Sequence, residues 1–252
     1  MKKRLSIVIP VYNEEKNIPL IYDALEKILA SLKKYEYEII FVNDGSEDKT
    51  WEKIKVIHNK NPRVKGVNLA KNFGHATALQ AGLEIAKGDA IIMMDGDLQH
   101  PPQLISTFIE RWEKGHKIVN TLRTNTEGIT FLKKFSSEVF YKTFNSLSLV
   151  KLNFGESDFR LIDNEVLRKI NKLPESPKFY RGIVHNLGYK ISYISYKAEK
   201  RKYGKTSYSL LKMIELAILG MASFSHKSLR FFFIFLKSII KRSGYNIKTT
   251  LR

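Results

Sequence analysis

The sequence predicts an α/β protein built on an open, mostly parallel sheet, and three observations carry that prediction. Short continuous apolar runs recur through the first half, helical patterns separate them, and polar or acidic turns follow three of the runs. The runs are Leu5–Ile9, Glu38–Val42, Val64–Leu69, Ala90–Met94 and Lys117–Thr121. Unbroken apolar strands suit a parallel sheet covered on both faces, whereas a half-exposed strand would alternate.

The first run lies in MKKRLSIVIPVYNEE, whose basic start resembles a signal peptide. Its apolar part is short, contains Pro10 and runs into Asn13-Glu14-Glu15 without a small-residue cleavage site, so it reads as a strand. After the second run, Ser46 is the expected cap of a helix through Trp51 and Ile54 to about Ile57, stopped before Pro62. Gly74 to Lys87 reads as a helix closed by Gly88, and Pro101-Pro102 opens another carrying Leu104, Ile105, Phe108 and Ile109. From about Asn125 the pattern changes. Phe131–Leu149 reads as an aromatic-rich helix, and Phe154–Ile162 and Tyr189–Tyr196 as strands. Leu210–Met221 reads as an apolar helix and Ser228–Ile240 as a basic, aromatic one. The division expected is a catalytic domain over 1–208 and a C-terminal amphipathic, membrane-associating helical extension over 209–252.

Composition narrows the class. The chain has 252 residues, enough for one sizeable core, and no cysteine, which excludes disulfides and thiolate metal sites. Its net charge of +18 points to an anionic partner. The tail from Lys197 to Arg252 holds 13 Lys/Arg against 2 Asp/Glu, interleaved with Leu, Ile, Met and Phe. That mixture suits a lipid surface better than nucleic acid, which is disfavoured as a partner. No apolar run approaches the roughly 18 to 20 residues that span a bilayer. The longest late candidate, Phe231–Leu236, is bounded by Arg230 and Lys237.

Open α/β sheets bind ligands where strands deliver their carboxyl ends into loops. Strand one ends in Pro10-Val11-Tyr12-Asn13-Glu14, strand two in Asn43-Asp44-Gly45-Ser46, and strand four in Asp95-Gly96-Asp97. Taken alone, Asp44-Gly45 is also an ordinary turn and Asp-x-Asp a common accident. Together the three clusters share one crevice. Paired carboxylates with a glycine between them suit a hard divalent cation bridging phosphate oxygens. His75, His100 and His185 lack metal-ligand spacing and read as ordinary helix or loop residues.

In order and spacing, IVIPVYNEEKNI, IIFVNDGSEDKT, NLAKNFGHATALQAGL and IIMMDGDLQHPP resemble the inverting family 2 glycosyltransferases. SDFRLID, FYRGIV, RKYGKTSYSLLKM and SFSHKSLR extend the resemblance over residues 5 to 230, to the polyprenyl-phosphate branch (dolichyl-phosphate mannosyltransferase-like and bacterial undecaprenyl-phosphate enzymes). The resemblance implies a GT-A, Rossmann-like catalytic domain. It implies that Pro10, Tyr12, Glu14 and Asp44 hold the base and ribose of a nucleotide-sugar. Asp95 and Asp97 would ligate Mg2+ or Mn2+ on the diphosphate, with Gln99 beside the sugar or metal. Asp158 and Arg160 would lie at the acceptor side, and Arg181, Arg201 and Ser207 would face phosphates with Lys205 beside them. Asp97, Gln99 and Asp158 are the catalytic candidates.

The resemblance implies a metal-dependent hexosyl transfer with inversion to polyprenyl phosphate, at the cytoplasmic face of a membrane, for cell-surface glycan synthesis. It leaves a homo-oligomer open. A phosphate monoester acceptor is largely dianionic at neutral pH and needs little deprotonation, so Asp158 need not be a base; its other reading is a buried pair with Arg160. Two departures stand out. Many relatives continue into transmembrane helices where this chain has a basic aromatic segment, and many carry Trp after FYRG where this chain has His185-Asn186. Two other readings follow: a family 2 enzyme glycosylating a sugar hydroxyl of a growing glycan, and a non-catalytic basic membrane-binding protein.

Overall fold

The computed structural model describes residues 2–124, 142, 145, 146, 148, 150–174, 178–198 and 247–251. Four of the five expected runs form the parallel heart of the sheet: β1 (Arg4–Val11), β2 (Glu36–Asn43), β3 (Val64–Leu69) and β4 (Ala90–Met93). β5 (Ile118–Arg123), β6 (Glu156–Asp163), β7 (Ile191–Tyr196) and β8 (Ile247–Leu251) complete an eight-stranded sheet of order β7-β5-β6-β4-β1-β2-β3-β8. β1 pairs in parallel with β2 and β4, and β2 with β3. β6 runs antiparallel between β4 and β5, and β7 is parallel to β5.

The continuous apolar runs are explained by two covered faces. Leu5, Ile7 and Ile9 of β1 and Ile39 and Phe41 of β2 join one cluster with α1 (Asn17–Ser31), α2 (Thr50–Lys60) and α4 (Leu104–Glu113). Val8, Ile40 and Val42, from the alternate positions, join α3 (His75–Ile85), α5 (Asn164–Asn171) and α6 (Tyr180–Asn186) on the other side. Each strand residue meets a helix, so no position along the run is free to be polar unless it finds a partner. Glu38 is that exception. Its carboxylate accepts from Ser6 Oγ at 2.5 Å, Lys65 Nζ at 2.5 Å and Lys87 N–H at 2.7 Å, near the amino ends of the strands and away from the loops discussed below. Burial would raise the Glu38 carboxyl, but Lys65, Ser6 and the Lys87 amide hold it below its ordinary value.

Two local expectations are corrected. Ser46 does not cap α2: that helix starts at Thr50 without a side-chain cap, and Ser46 Oγ instead accepts the Asn13 N–H at 2.9 Å. The final residues, assigned by sequence to the helical extension, form β8, antiparallel to β3, with Leu251 packed beside Trp51 over Gly66. A register irregularity at Asn68/Leu69 accommodates this edge strand. The remainder of the extension, 209–246, and the helix expected over most of Phe131–Leu149 lie outside the described residues. Among the described residues no helix is long and apolar enough to cross a membrane.

Candidate active site

Adjacent parallel strands bring the first two polar clusters together. Val11 is in register with Asn43, and the Asp44 N–H donates to Val11 O at 2.9 Å. Asn13, at φ 56°, bridges the loops: its Oδ1 accepts the Glu47 N–H at 2.9 Å, while Glu14 N–H donates to Thr50 Oγ1 at 2.8 Å. Left-handed backbone suits Asn because its short polar side chain bonds locally. Pro10 is buried in β1, and Tyr12 and Glu14 are partly exposed on the loop. Asp44 is buried and accepts from the N–H groups of Phe73 and Gly74 at 2.7 and 2.9 Å. Thus Asp44 shapes the loop after β3, a role the sequence reading did not separate from nucleotide contact. Gly45 is more than a turn residue: at φ 66°, a Cβ there would lie 2.3 Å from Lys71 C, so only glycine lets the two loops meet.

The third cluster follows β4. Gly96 lies so close to β1 that a Cβ would come within 2.5 Å of Val11 Cγ1; the close approach is to the neighbouring strand. Asp95 is 35% exposed and is held by two imidazoles. His75 Nε2, from the start of α3, is 2.8 Å from Oδ1, and His100 Nε2 is 3.6 Å from Oδ2. The Asp95 N–H donates to His100 Nδ1 at 3.0 Å, which assigns His100 as the neutral ring with its proton on Nε2. Burial pushes the His100 pKa down, in keeping with that form, and the ring stacks on Phe159 at 4.9 Å. For His75, burial acts downward but Asp95, with Asp158 behind it, lifts the pKa to about 9. Burial would raise the Asp95 carboxyl; with His100 neutral, the charged His75 ring bonded to Oδ1 is what holds it below its ordinary value.

Asp97 is buried and accepts the Gln99 N–H at 3.0 Å around Leu98, which sits at φ 62°. A branched residue there is strained by about 1 to 2 kcal/mol, strain that the surrounding contacts must hold. Gln99 Oε1 in turn accepts from Arg123 Nη2 at 3.3 Å, tying this turn to the end of β5. Among the described residues no three His, Cys, Asp or Glu side chains are grouped to hold a metal by themselves. Asp95 and Asp97 nevertheless fit Mg2+ or Mn2+: they are hard oxygen donors, and such ions commonly combine one or two carboxylates with phosphate oxygens.

The opposite side of the site is built on β6. Asp158 Oδ1 and Oδ2 accept from Arg181 Nε and Nη2 of α6 at 3.0 and 2.7 Å, a bidentate pair, and Oδ1 also accepts from Arg160 Nη2 at 3.1 Å. Burial would raise the Asp158 carboxyl, but Arg181 and Arg160 hold it well below the usual range. The charges of Asp158 and Arg181 also bear on His75, which places this pair beside Asp95. Arg160, expected at the acceptor side, has no exposed surface with which to touch an acceptor phosphate: its Nη2 donates to Ser157 O and Asp158 Oδ1, pinning Asp158 from beneath. The pairing of Asp158 with Arg160 is the alternative the sequence offered. Arg201, Lys205 and Ser207 lie outside the described residues.

Sequence reasoning passed over His75, His100 and Arg123, and noted His185 only as a departure after FYRG, without a partner. The three histidines each sit against a carboxylate, the last of them 2.8 Å from Glu156. Metal-ligand spacing was the wrong signal for them. Position beside strand carboxyl ends was the usable one, for His75 and His100.

A family model described as Glycosyl transferase family 2 matches residues 6–171. An uncharacterized glycosyltransferase, YkcC, of Bacillus subtilis (strain 168) is 40% identical over 225 residues, covering 89% of this chain and 69% of that protein. The prophage bactoprenol glucosyl transferase homolog of Escherichia coli (strain K12) is 38% identical over 227 residues, 90% of this chain and 74% of its own length. Among solved structures, glucosyl-3-phosphoglycerate synthase from Mycobacterium tuberculosis, in complex with Mn2+, UDP and phosphoglyceric acid, superposes with a TM-score of 0.59 at 17% identity, covering 98% of this chain and 86% of that one. That likeness shows the fold, a GT-A, Rossmann-like α/β architecture.

Proposed function

Since the chain belongs to glycosyl transferase family 2, we propose that it moves a sugar from a nucleotide-diphosphate sugar to the phosphate of a polyprenyl phosphate, with inversion, for cell-surface glycan synthesis. The bactoprenol glucosyl transferases, 38% identical over 90% of the chain, support the acceptor class. The observation that carries the reading is the state of Asp158. Held bidentately by Arg181 and from below by Arg160, its carboxylate has both oxygens engaged by guanidinium groups and is held below its ordinary pKa, which disfavours it as the base a sugar hydroxyl needs. A phosphate acceptor, already dianionic near neutral pH, requires no such base.

The division of labour follows the strand order. The loops after β1 and β2 hold the nucleoside. Asp95 and Asp97 would hold Mg2+ or Mn2+, which when bound neutralises charge on the departing diphosphate. His75 keeps Asp95 ionised, and His75 and His100 together aim it. Arg181, partly exposed next to Asp158, puts its positive charge on the acceptor side, where it favours a phosphate. Attack by the acceptor oxygen on the face opposite the departing diphosphate gives inversion.

The test is transfer from a panel of UDP- and GDP-sugars with Mn2+ to a short-chain polyprenyl phosphate. A lipid-linked sugar phosphate, labile to mild acid and stable to mild alkali, is expected; product on an oligosaccharide hydroxyl and none on lipid would reverse the assignment. The basic, aromatic residues of the tail are proposed to seat the enzyme on the cytoplasmic face of the membrane. Replacing Arg230, Lys237, Lys241 and Arg242 with glutamine then lowers sedimentation with anionic vesicles by about tenfold or more, at about 1 kcal/mol for each charge near the surface. This substitution leaves β8 intact, which a deletion of the tail would not. Unchanged, salt-insensitive sedimentation would argue against the tail as the anchor.

A further inference from the structure

β6 presents more charge to α6 than the transfer reaction uses. Glu156, Asp158 and Arg160 all belong to β6 where its register against β5 shifts between Arg160 and Glu156, and contacts rather than strand alternation place Glu156 and Asp158 against α6. From α6, Arg181 and His185 are four residues apart and share one face of the helix. Arg181 meets Asp158, and His185 Nε2 meets Glu156 Oε2 at 2.8 Å. The second pair is the deeper one: the Glu156 side chain has no exposed surface, and its other oxygen accepts from Asn120 Nδ2 of β5 at 2.6 Å.

Tyr180, Ile183 and Val184 seat α6 on the core, and apolar packing is not directional; a second ion pair one turn from the first fixes the rotation and height of the helix more closely than one pair does. α6 has only seven residues and no side-chain hydrogen bond at its amino end, so its placement depends on what it touches. From this juxtaposition we propose that His185 is a positioning residue: by bonding Glu156 it fixes α6 on β6 at the height where Arg181 engages Asp158. The proposal deepens the transfer reaction above and rests on it only for its kinetic consequence.

The structural consequence is read without substrate. In protein labelled with 15N-arginine, the Arg181 Nε–H bonded to Asp158 gives a slowly exchanging resonance, assigned by its loss in Arg181→Lys. His185→Ala is expected to abolish that resonance, and His185→Gln, whose amide still reaches Glu156, to keep it. In the transfer assay His185→Ala lowers kcat/KM for polyprenyl phosphate about tenfold or more, while the dissociation constant of the nucleotide diphosphate changes less than about twofold. His185→Gln recovers most of the loss. Persistence of the Arg181 resonance in His185→Ala, no rescue by glutamine, or an equal loss of nucleotide affinity would each overturn the proposal. Should His185→Ala fail to fold, His185→Leu, which fills the space without the hydrogen bond, carries the same comparison. If the wild-type protein transfers nothing to polyprenyl phosphate, the function assignment fails while the resonance still decides the role of His185.

Discussion

Asp97→Asn is expected to reduce transfer by about 10²- to 10³-fold, the usual effect of removing one preorganised electrostatic group from a site where charge develops. Asparagine is the informative replacement because the turn survives it. Its Oδ1 can still accept the Gln99 N–H that Asp97 accepts at 3.0 Å, and its volume is unchanged in a nearly buried position. What disappears is one negative oxygen of the pair that would hold the cation with the diphosphate. Melting temperature should therefore stay within about 2 °C of wild type, since a same-sized replacement that keeps the hydrogen bond leaves neither a cavity nor a stranded charge. Mn2+ affinity measured with nucleotide diphosphate should fall in parallel with turnover. Full activity in Asp97→Asn would remove the metal role and, with it, the catalytic reading of the third cluster. Asp95→Asn is a poorer test, because it also breaks the contacts to His75 and His100.

The contrast between Asp97 and its neighbours shows what a sequence can and cannot display. β1 to β4 were legible because burial on both faces forces unbroken apolar runs, and the acidic turns after β1, β2 and β4 were legible because topology puts such ends side by side. β8 was not: Ile247–Leu251 is a polar edge strand, exposed over much of its length, and edge pairing leaves little mark on composition. α5 and α6 are eight and seven residues long, too short for a clear period. His75 and Asp95 are twenty residues apart, and His185 and Glu156 twenty-nine, so their pairing depends on the fold rather than on any local pattern. Gly45 and Gly96 were visible as glycines, but what they make room for, Lys71 and Val11, became apparent only in three dimensions.

Asp158→Ala is expected to be the most damaging single change for stability. It leaves Arg160 fully buried beside Glu156 with its nearest counter-charge gone, and it frees Arg181 as well. Breaking a buried pair by removing one partner costs about 3 to 5 kcal/mol, because the stranded charge keeps its desolvation penalty. For a protein of this size that lowers the melting temperature by roughly 6 to 20 °C. Asp158→Asn retains an acceptor for one arginine and should fall in between. The pH dependence separates charge from shape. In the folded state the Asp158 carboxyl is held well below its ordinary value of about 4, so its contribution is present in full above that pH. It is lost as pH falls through the folded value, because protonation then uncouples it from both arginines. Denaturant unfolding at pH 7 and near pH 3 should thus show wild type losing stability on acidification and Asp158→Ala losing less, the two curves approaching each other in acid. Parallel curves would mean that Asp158 contributes packing alone. In that case the case against a general base, and for a phosphate acceptor, would have to rest on the acceptor assay.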